Sequence, residues 1–139
     1  MIGLRHGHMG KIGPEPSGYI GTFQQLEGVE IVAFCEDADH ALLEPAGKFH
    51  PDARTYTSVD ALIAEEDFEL AVVVLPACEI PGVGLKLAAA GKHLYLEKQF
   101  ARRAEDLLEL VRAVRRNKVK VMPGYPHRFN PLCQELKKL

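Results

Sequence analysis

The stretch Gly3-Leu4-Arg5-His6-Gly7-His8-Met9-Gly10 holds the first residues whose types and spacing could do chemistry. Glycines let a turn approach a phosphate closely. A helix starting behind the turn then points its N–H groups at the anion. A dinucleotide-binding turn has the spacing GxGxxG. Aligned on Gly7 and Gly10, its first glycine position is filled by Arg5. Taking Gly3 as the first glycine lengthens the turn and leaves almost no strand before it, with a few residues lacking at the N-terminus. On this stretch alone an ordinary glycine-bearing loop fits equally well. Arg5, His6, Gly7, His8, Met9 and Gly10 are the candidate cofactor contacts. His6 and His8 could reach a pyrophosphate or a substrate.

Glu36 directly follows the apolar run Val29–Cys35. An acid at the end of a second strand accepts hydrogen bonds from adenosine ribose hydroxyls. It stands 26 positions after Gly10, against a usual separation of about 20, and the GPEPSG insertion accounts for the excess. Asp37 adds a second negative charge, which would repel a 2′-phosphate, so NAD is expected rather than NADP. The plainer role, capping the next helix, leaves the buried strand before Glu36 unexplained.

Glu97 and Lys98 close a third candidate group. As a pair they could be a surface ion pair, but they fall at the C-terminal end of an expected parallel strand, where such sheets bind ligands. Of the six histidines, His93 opens a strand and reads as structural. His40 and His50 read as surface residues, and His127 lies near the end of the chain. No third ligand joins His6 and His8 at a metal-binding spacing, so no metal is expected. The three cysteines, Cys35, Cys78 and Cys133, form neither a disulfide framework nor a CxxC site. They read as small core residues in a reducing cytoplasm.

The elements that must position these residues follow from apolar patterning. Val29–Cys35 and Leu70–Leu75 are short, β-branched and nearly continuous, as strands buried on both faces are. Weaker strands are expected at Met1–Leu4, Arg54–Thr57, His93–Leu96 and Val119–Met122. Helices are expected from about Pro16 to Leu26, from Asp39 until Pro45 kinks or ends it, and after Ser58 as N-cap. Two more are expected over Cys78–Ala90, ended by Gly91, and over Arg102–Arg116, with Ala104, Leu107, Leu108, Val111 and Val114 on its apolar face. Strand and helix alternate about six times. That order predicts an α/β fold: a doubly wound parallel sheet with right-handed crossovers and strand order 3-2-1-4-5-6.

Composition bounds the rest. The 139 residues carry 17 Lys+Arg and 19 Asp+Glu, a formal net charge of −2. That balance lacks the basic excess of a nucleic-acid partner. No apolar run approaches the roughly 20 residues of a membrane span, and no signal-peptide pattern opens the chain.

Taken together, the segments resemble the Gfo/Idh/MocA oxidoreductases. Gly91-Lys92-His93-Leu94-Tyr95-Leu96-Glu97-Lys98-Gln99 is similar to that family's AGKHVxxEKP segment. GHMG, VxAxCE, VVVLP and KVMPGYPHRFNP match in the same order, covering essentially the whole chain. The resemblance implies a Rossmann-type NAD-binding fold and hydride transfer between a nicotinamide and a sugar- or polyol-like alcohol. It implies that Lys98 is the catalytic lysine beside the nicotinamide, where a cation lowers its pKa. Glu97 would hold that lysine, Leu75 and Pro76 would line the cofactor, and Tyr125 and Arg128 would close over the nicotinamide end.

Gln99 stands in place of the family proline, which introduces a special backbone turn. Ile80 and Ala77 replace the histidine and asparagine of many members. The expected organisation is a dinucleotide-binding domain over 1–123 and an exit segment over 124–139, leading to a substrate domain absent from this sequence. The implied partner is a small sugar-like substrate, with a homo-oligomer through that second domain. The competing expectations are a non-catalytic NAD-binding sensor or partner module, and an NAD-using lyase or glycosidase of the same fold.

Overall fold

The computed structural model describes all 139 residues. Its strands are β1 (Ala33–Cys35), β2 (Arg54–Tyr56), β3 (Leu70–Val73), β4 (His93–Glu97) and β5 (Val121–Gly124). Its α-helices are α1 (Gly18–Gln24), α2 (Glu44–Phe49), α3 (Val59–Glu65), α4 (Ile80–Ala89), α5 (Ala104–Arg116) and α6 (Pro131–Leu136). β1 pairs with β2, and β3 with β4 and β4 with β5, all in parallel. Ile2 joins the two halves, bridging Cys35 on one side and Val73 on the other. The order is therefore β2-β1-Ile2-β3-β4-β5. Counting the Ile2 segment as first strand, this is the expected 3-2-1-4-5-6.

That first strand is a single bridge residue in a short ladder. Ile2 N–H donates to Val72 O (2.8 Å) and Val74 N–H to Ile2 O (2.9 Å). On the other side Cys35 N–H donates to Met1 O (2.8 Å) and Gly3 N–H to Cys35 O (3.0 Å). The pairing of β1 with this segment starts at Met1. Val29–Val32, expected as strand, lie outside β1, and Val29 is exposed.

Side-chain alternation sorts the core onto two faces. Ala71, Val73 and Leu75 pack with Val59 and Leu62 of α3, Ile80 and Leu87 of α4, and Leu110 of α5. Val72 and Val74 face the other way, onto Ile20 of α1, Leu43, Ala46 of α2, Phe34 and Met9. Helices thus cover both faces, as continuous apolar strands require.

Three local expectations are corrected. Pro45 does not stop the second helix. A 3₁₀ turn, His40–Leu43, capped by Asp39 accepting from Ala41 N–H, runs into α2, and Pro45 sits in its first turn, where no N–H is needed. On α5 the buried stripe is rotated from the expected one. Leu110 and Ala113 are buried, while Leu107 and Leu108 are exposed. The cause is Gly84 on α4, which lets α5 come so close that a Cβ there would lie 2.9 Å from Leu110 Cδ1. His50 is half-buried, its ring 4.9 Å from that of Phe34, and burial lowers its pKa.

Leu110→Ala should therefore cost about 3 kcal/mol, within the range for fully buried leucines. Leu108→Ala, on the exposed face, should cost under about 0.5 kcal/mol. Urea denaturation of both variants checks the rotated stripe, and equal losses would contradict it. No helix is long and apolar enough to cross a membrane.

Candidate functional site

The C-terminal ends of the strands carry the candidate residues. Glu97 ends β4 and is 2% exposed. Its Oε2 accepts from the Tyr19 hydroxyl at 2.5 Å, and its Oε1 accepts from Lys98 N–H at 2.9 Å. His8 Nδ1 lies 3.3 Å from Oε2, and Lys98 Nζ lies 4.0 Å from Oε1. One buried carboxylate thus ties together the glycine turn, the first turn of α1 and Lys98. Burial and the bond to Glu97 hold the Tyr19 phenol far above its ordinary pKa. The Lys98–Gln99 peptide bond is cis.

An open cleft of roughly 620 Å³ lies over this group. It is lined by Gly7, His8, Tyr19, Lys98, Tyr125 and His127, among others. The sequence singles out four of these as site residues and raises His127. Tyr19 carried no sequence signal beyond its place just after Gly18, and the cleft reveals it. Arg128 is not among the lining residues. Its carbonyl accepts from Gln134 Nε2 of α6. A second crevice, about 450 Å³, opens at the other end of the sheet. It is mostly apolar, with Glu30, Asp67 and Glu69 at its polar side and no lysine, arginine or histidine side chain.

The glycine turn differs from the simple fingerprint. α1 starts at Gly18, eight residues beyond Gly10, and its first amides are taken. Tyr19 N–H donates to His8 O and Ile20 N–H to Met9 O, both at 3.0 Å. The start of α1 therefore does not offer those two groups to an anion, which corrects the expectation from spacing. Gly3 and Gly10 carry the backbone demands instead. Both have positive φ, +85° and +94°. A Cβ on Gly3 would lie 2.2 Å from Val74 O, and one on Gly10 would lie 1.7 Å from Ser17 O. Gly7 is unconstrained, with nothing within 4 Å of such a Cβ. Met9 points its side chain into the core, fully buried, so it can contribute only backbone. His6 accepts from His8 N–H at 3.2 Å and steadies the turn.

Glu36 is 1% exposed. Its Oε2 accepts from Leu4 N–H (2.8 Å), and its Oε1 from Ala38 N–H (2.9 Å) and Asp39 N–H (3.3 Å). The bonds to Ala38 and Asp39 are those of the capping role. Arg5 Nε adds a contact at 3.0 Å. Arg5 Nη2 also reaches Glu79 at 3.0 Å and Asp37 at 3.5 Å. Burial pushes the Glu36 carboxyl up, but the three backbone donors and Arg5 outweigh it and hold its pKa below the usual value. The three carboxylates likewise outweigh the burial that would lower the Arg5 pKa, and hold it raised.

The sign of the pH effect follows. A carboxyl depressed in the fold stabilises above its unfolded pKa, about 4.3, and that stability is lost as pH falls toward the folded value. Glu36→Gln should therefore be clearly less stable than the parent at pH 7, with the gap narrowing steadily below about pH 4.3. Denaturant melts across that range check it, and a pH-independent gap would contradict it.

Leu75 is buried, and its Cδ2 would lie 2.6 Å from a Cβ on Gly3. Pro76 is exposed beside it, and its carbonyl accepts the first amides of the α4 turn. Cys35 is buried and its thiol is pushed up to about 11 by burial first. Cys78 and Cys133 are exposed, correcting their reading as core residues.

A parallel sheet with helices on both faces, a glycine turn after its central strand and a lysine cleft at the strand ends define a Rossmann-type dinucleotide-binding domain. The chain belongs to the Gfo/Idh/MocA family, the oxidoreductase family with an NAD-binding Rossmann fold, whose model matches residues 7–125. It is 28% identical over 101 residues to an uncharacterized oxidoreductase of Synechocystis sp., covering 73% of this chain and 27% of that one. It is 25% identical over 115 residues to the inositol 2-dehydrogenase of Salmonella paratyphi B, covering 82% and 34%. It is also similar to the WlbA dehydrogenase of Bordetella pertussis, solved in complex with NADH and UDP-GlcNAcA. That match has 27% identity and a TM-score of 0.80, covering 86% of this chain and 36% of that one. The chain thus spans about a third of the length of these relatives.

Proposed function

We propose that this chain is the cofactor-binding part of an NAD-dependent oxidoreductase that acts on a sugar- or polyol-like alcohol. The observation that carries the reading is the buried Glu97 carboxylate, which binds Tyr19 and Lys98 beneath a cleft at the end of β4. Bound NAD would supply the hydride acceptor. Lys98, half-exposed in the cleft, exchanges the proton of the reacting alcohol and is the catalytic residue. His8 and Tyr125 shape the nicotinamide end, Gly7 gives backbone access to the pyrophosphate, and Leu75 and Pro76 line the adenosine side. Glu36, with Asp37 beside it, faces the adenosine ribose and favours NAD over NADP. The substrate class rests on the inositol and UDP-sugar relatives. A reducing cytoplasm is proposed, in keeping with three free cysteines.

A second reading has two observations behind it. Arg5 fills the first position of the glycine fingerprint and Gln99 stands in place of the family proline, departures that suit a dinucleotide-binding module without catalysis. Calorimetric titration with NAD tests the first step of both. Micromolar binding that is lost in Glu36→Ala and retained in Lys98→Ala is expected. A folded chain that binds neither NAD nor NADP would overturn both readings.

A further inference from the structure

We propose that Glu79 sets the preference for NAD over NADP, by occupying the Arg5 guanidinium that would otherwise pair with a ribose 2′-phosphate. This rests on the cofactor reading above. Arg5 follows the central Ile2 segment, Glu36 and Asp37 follow β1, and Glu79 lies in the loop between β3 and α4. These three loops rise from adjacent strands where the strand order reverses, which is where an open α/β sheet takes its ligand. Arg5 Nε touches Glu36 Oε1 at 3.0 Å, so the guanidinium adjoins the acid that the ribose diol would meet. An arginine in that position is the group with which a 2′-phosphate pairs.

Here that capacity is already spent. Nη2 is held by Glu79 at 3.0 Å and by Asp37 at 3.5 Å. One cation among three carboxylates leaves an excess of two negative charges, which repels a dianionic 2′-phosphate. Neutralising Glu79 halves that excess and frees the shorter Nη2 contact. Glu36 and Asp37 stay in place, so recognition of an unmodified ribose is undisturbed. The Glu79 side chain is 37% exposed and makes no capping bond to α4, so glutamine fits there.

The test is calorimetric titration of the full chain with NAD and with NADP, in the parent, Glu79→Gln, Glu79→Ala and the double variant Arg5→Leu/Glu79→Gln. Circular dichroism melts establish that each variant folds. Either Glu79 substitution should tighten NADP about tenfold, the effect of one freed charge-assisted contact, while NAD moves less than about threefold. The gain should vanish in the double variant. An unchanged NADP-to-NAD ratio in a Glu79 variant that still binds NAD overturns the inference alone. So does a gain that survives without Arg5. A parent chain that binds neither dinucleotide overturns the cofactor reading, and this inference with it.

Discussion

Gly10→Ala should lower the unfolding free energy by about 3 kcal/mol or more, near the upper end for single substitutions. Gly10 sits at φ +94°, where a Cβ is strained whatever the space. There is also no space: the added atom would lie 1.7 Å from Ser17 O and 2.3 Å from Ser17 C. Both are backbone atoms, so no rotamer change relieves the clash. The turn and the start of α1 would have to part, breaking the bonds from Tyr19 N–H to His8 O and from Ile20 N–H to Met9 O. That displaces His8 and Tyr19, two of the groups on Glu97. Gly7→Ala is the control, because nothing lies within 4 Å of its added Cβ, and it should cost under about 1 kcal/mol. Urea melts of the two variants decide the matter. Equal losses would mean that the turn is not clamped at Gly10.

Glu97→Ala is the second large effect expected, about 3 kcal/mol of stability together with loss of NADH binding. Truncation leaves the Tyr19 hydroxyl and Lys98 N–H without their acceptor in a site where the carboxylate is 2% exposed. Every close neighbour of the carboxylate can donate, so Glu97→Gln turns its amide NH₂ toward a donor. It should nevertheless lose less, because a tyrosine hydroxyl can rotate to accept. A second readout separates the site from bulk stability. Burial first, and then the bond to Glu97, hold the Tyr19 phenol above its ordinary pKa. In Glu97→Gln it should titrate closer to the usual value of about 10, as read by ultraviolet phenolate absorbance. Tyr19→Phe serves as the blank for that signal. Unchanged titration in Glu97→Gln would show that the carboxylate does not control the tyrosine.

Much of this architecture was legible in local patterns. Val72, Val73 and Val74 read as a strand buried on both faces, and their continuous apolarity pointed to a parallel sheet. Ser58 before an apolar run gave α3, and its hydroxyl does accept from Asp60 and Ala61 N–H. The Glu-Lys pair at the end of β4 was legible because position on a parallel strand carries meaning. Less legible was the face of α5. Leu107, Leu108 and Leu110 are chemically alike, and only the close approach at Gly84 selects Leu110. Glu36 was seen, but not the four donors on its carboxylate.

The sequence by itself determined the alternation of strands and helices, the parallel sheet and the family, because these rest on periodicity and on residues adjacent along the chain. Tertiary structure alone decided which side chains meet. Tyr19 reaches Glu97 across 78 positions, and Arg5 reaches Glu79 across 74. No local pattern encodes such contacts. They exist because parallel crossovers bring the C-terminal ends of distant strands to one edge, where loops of unrelated sequence share the same few ångströms.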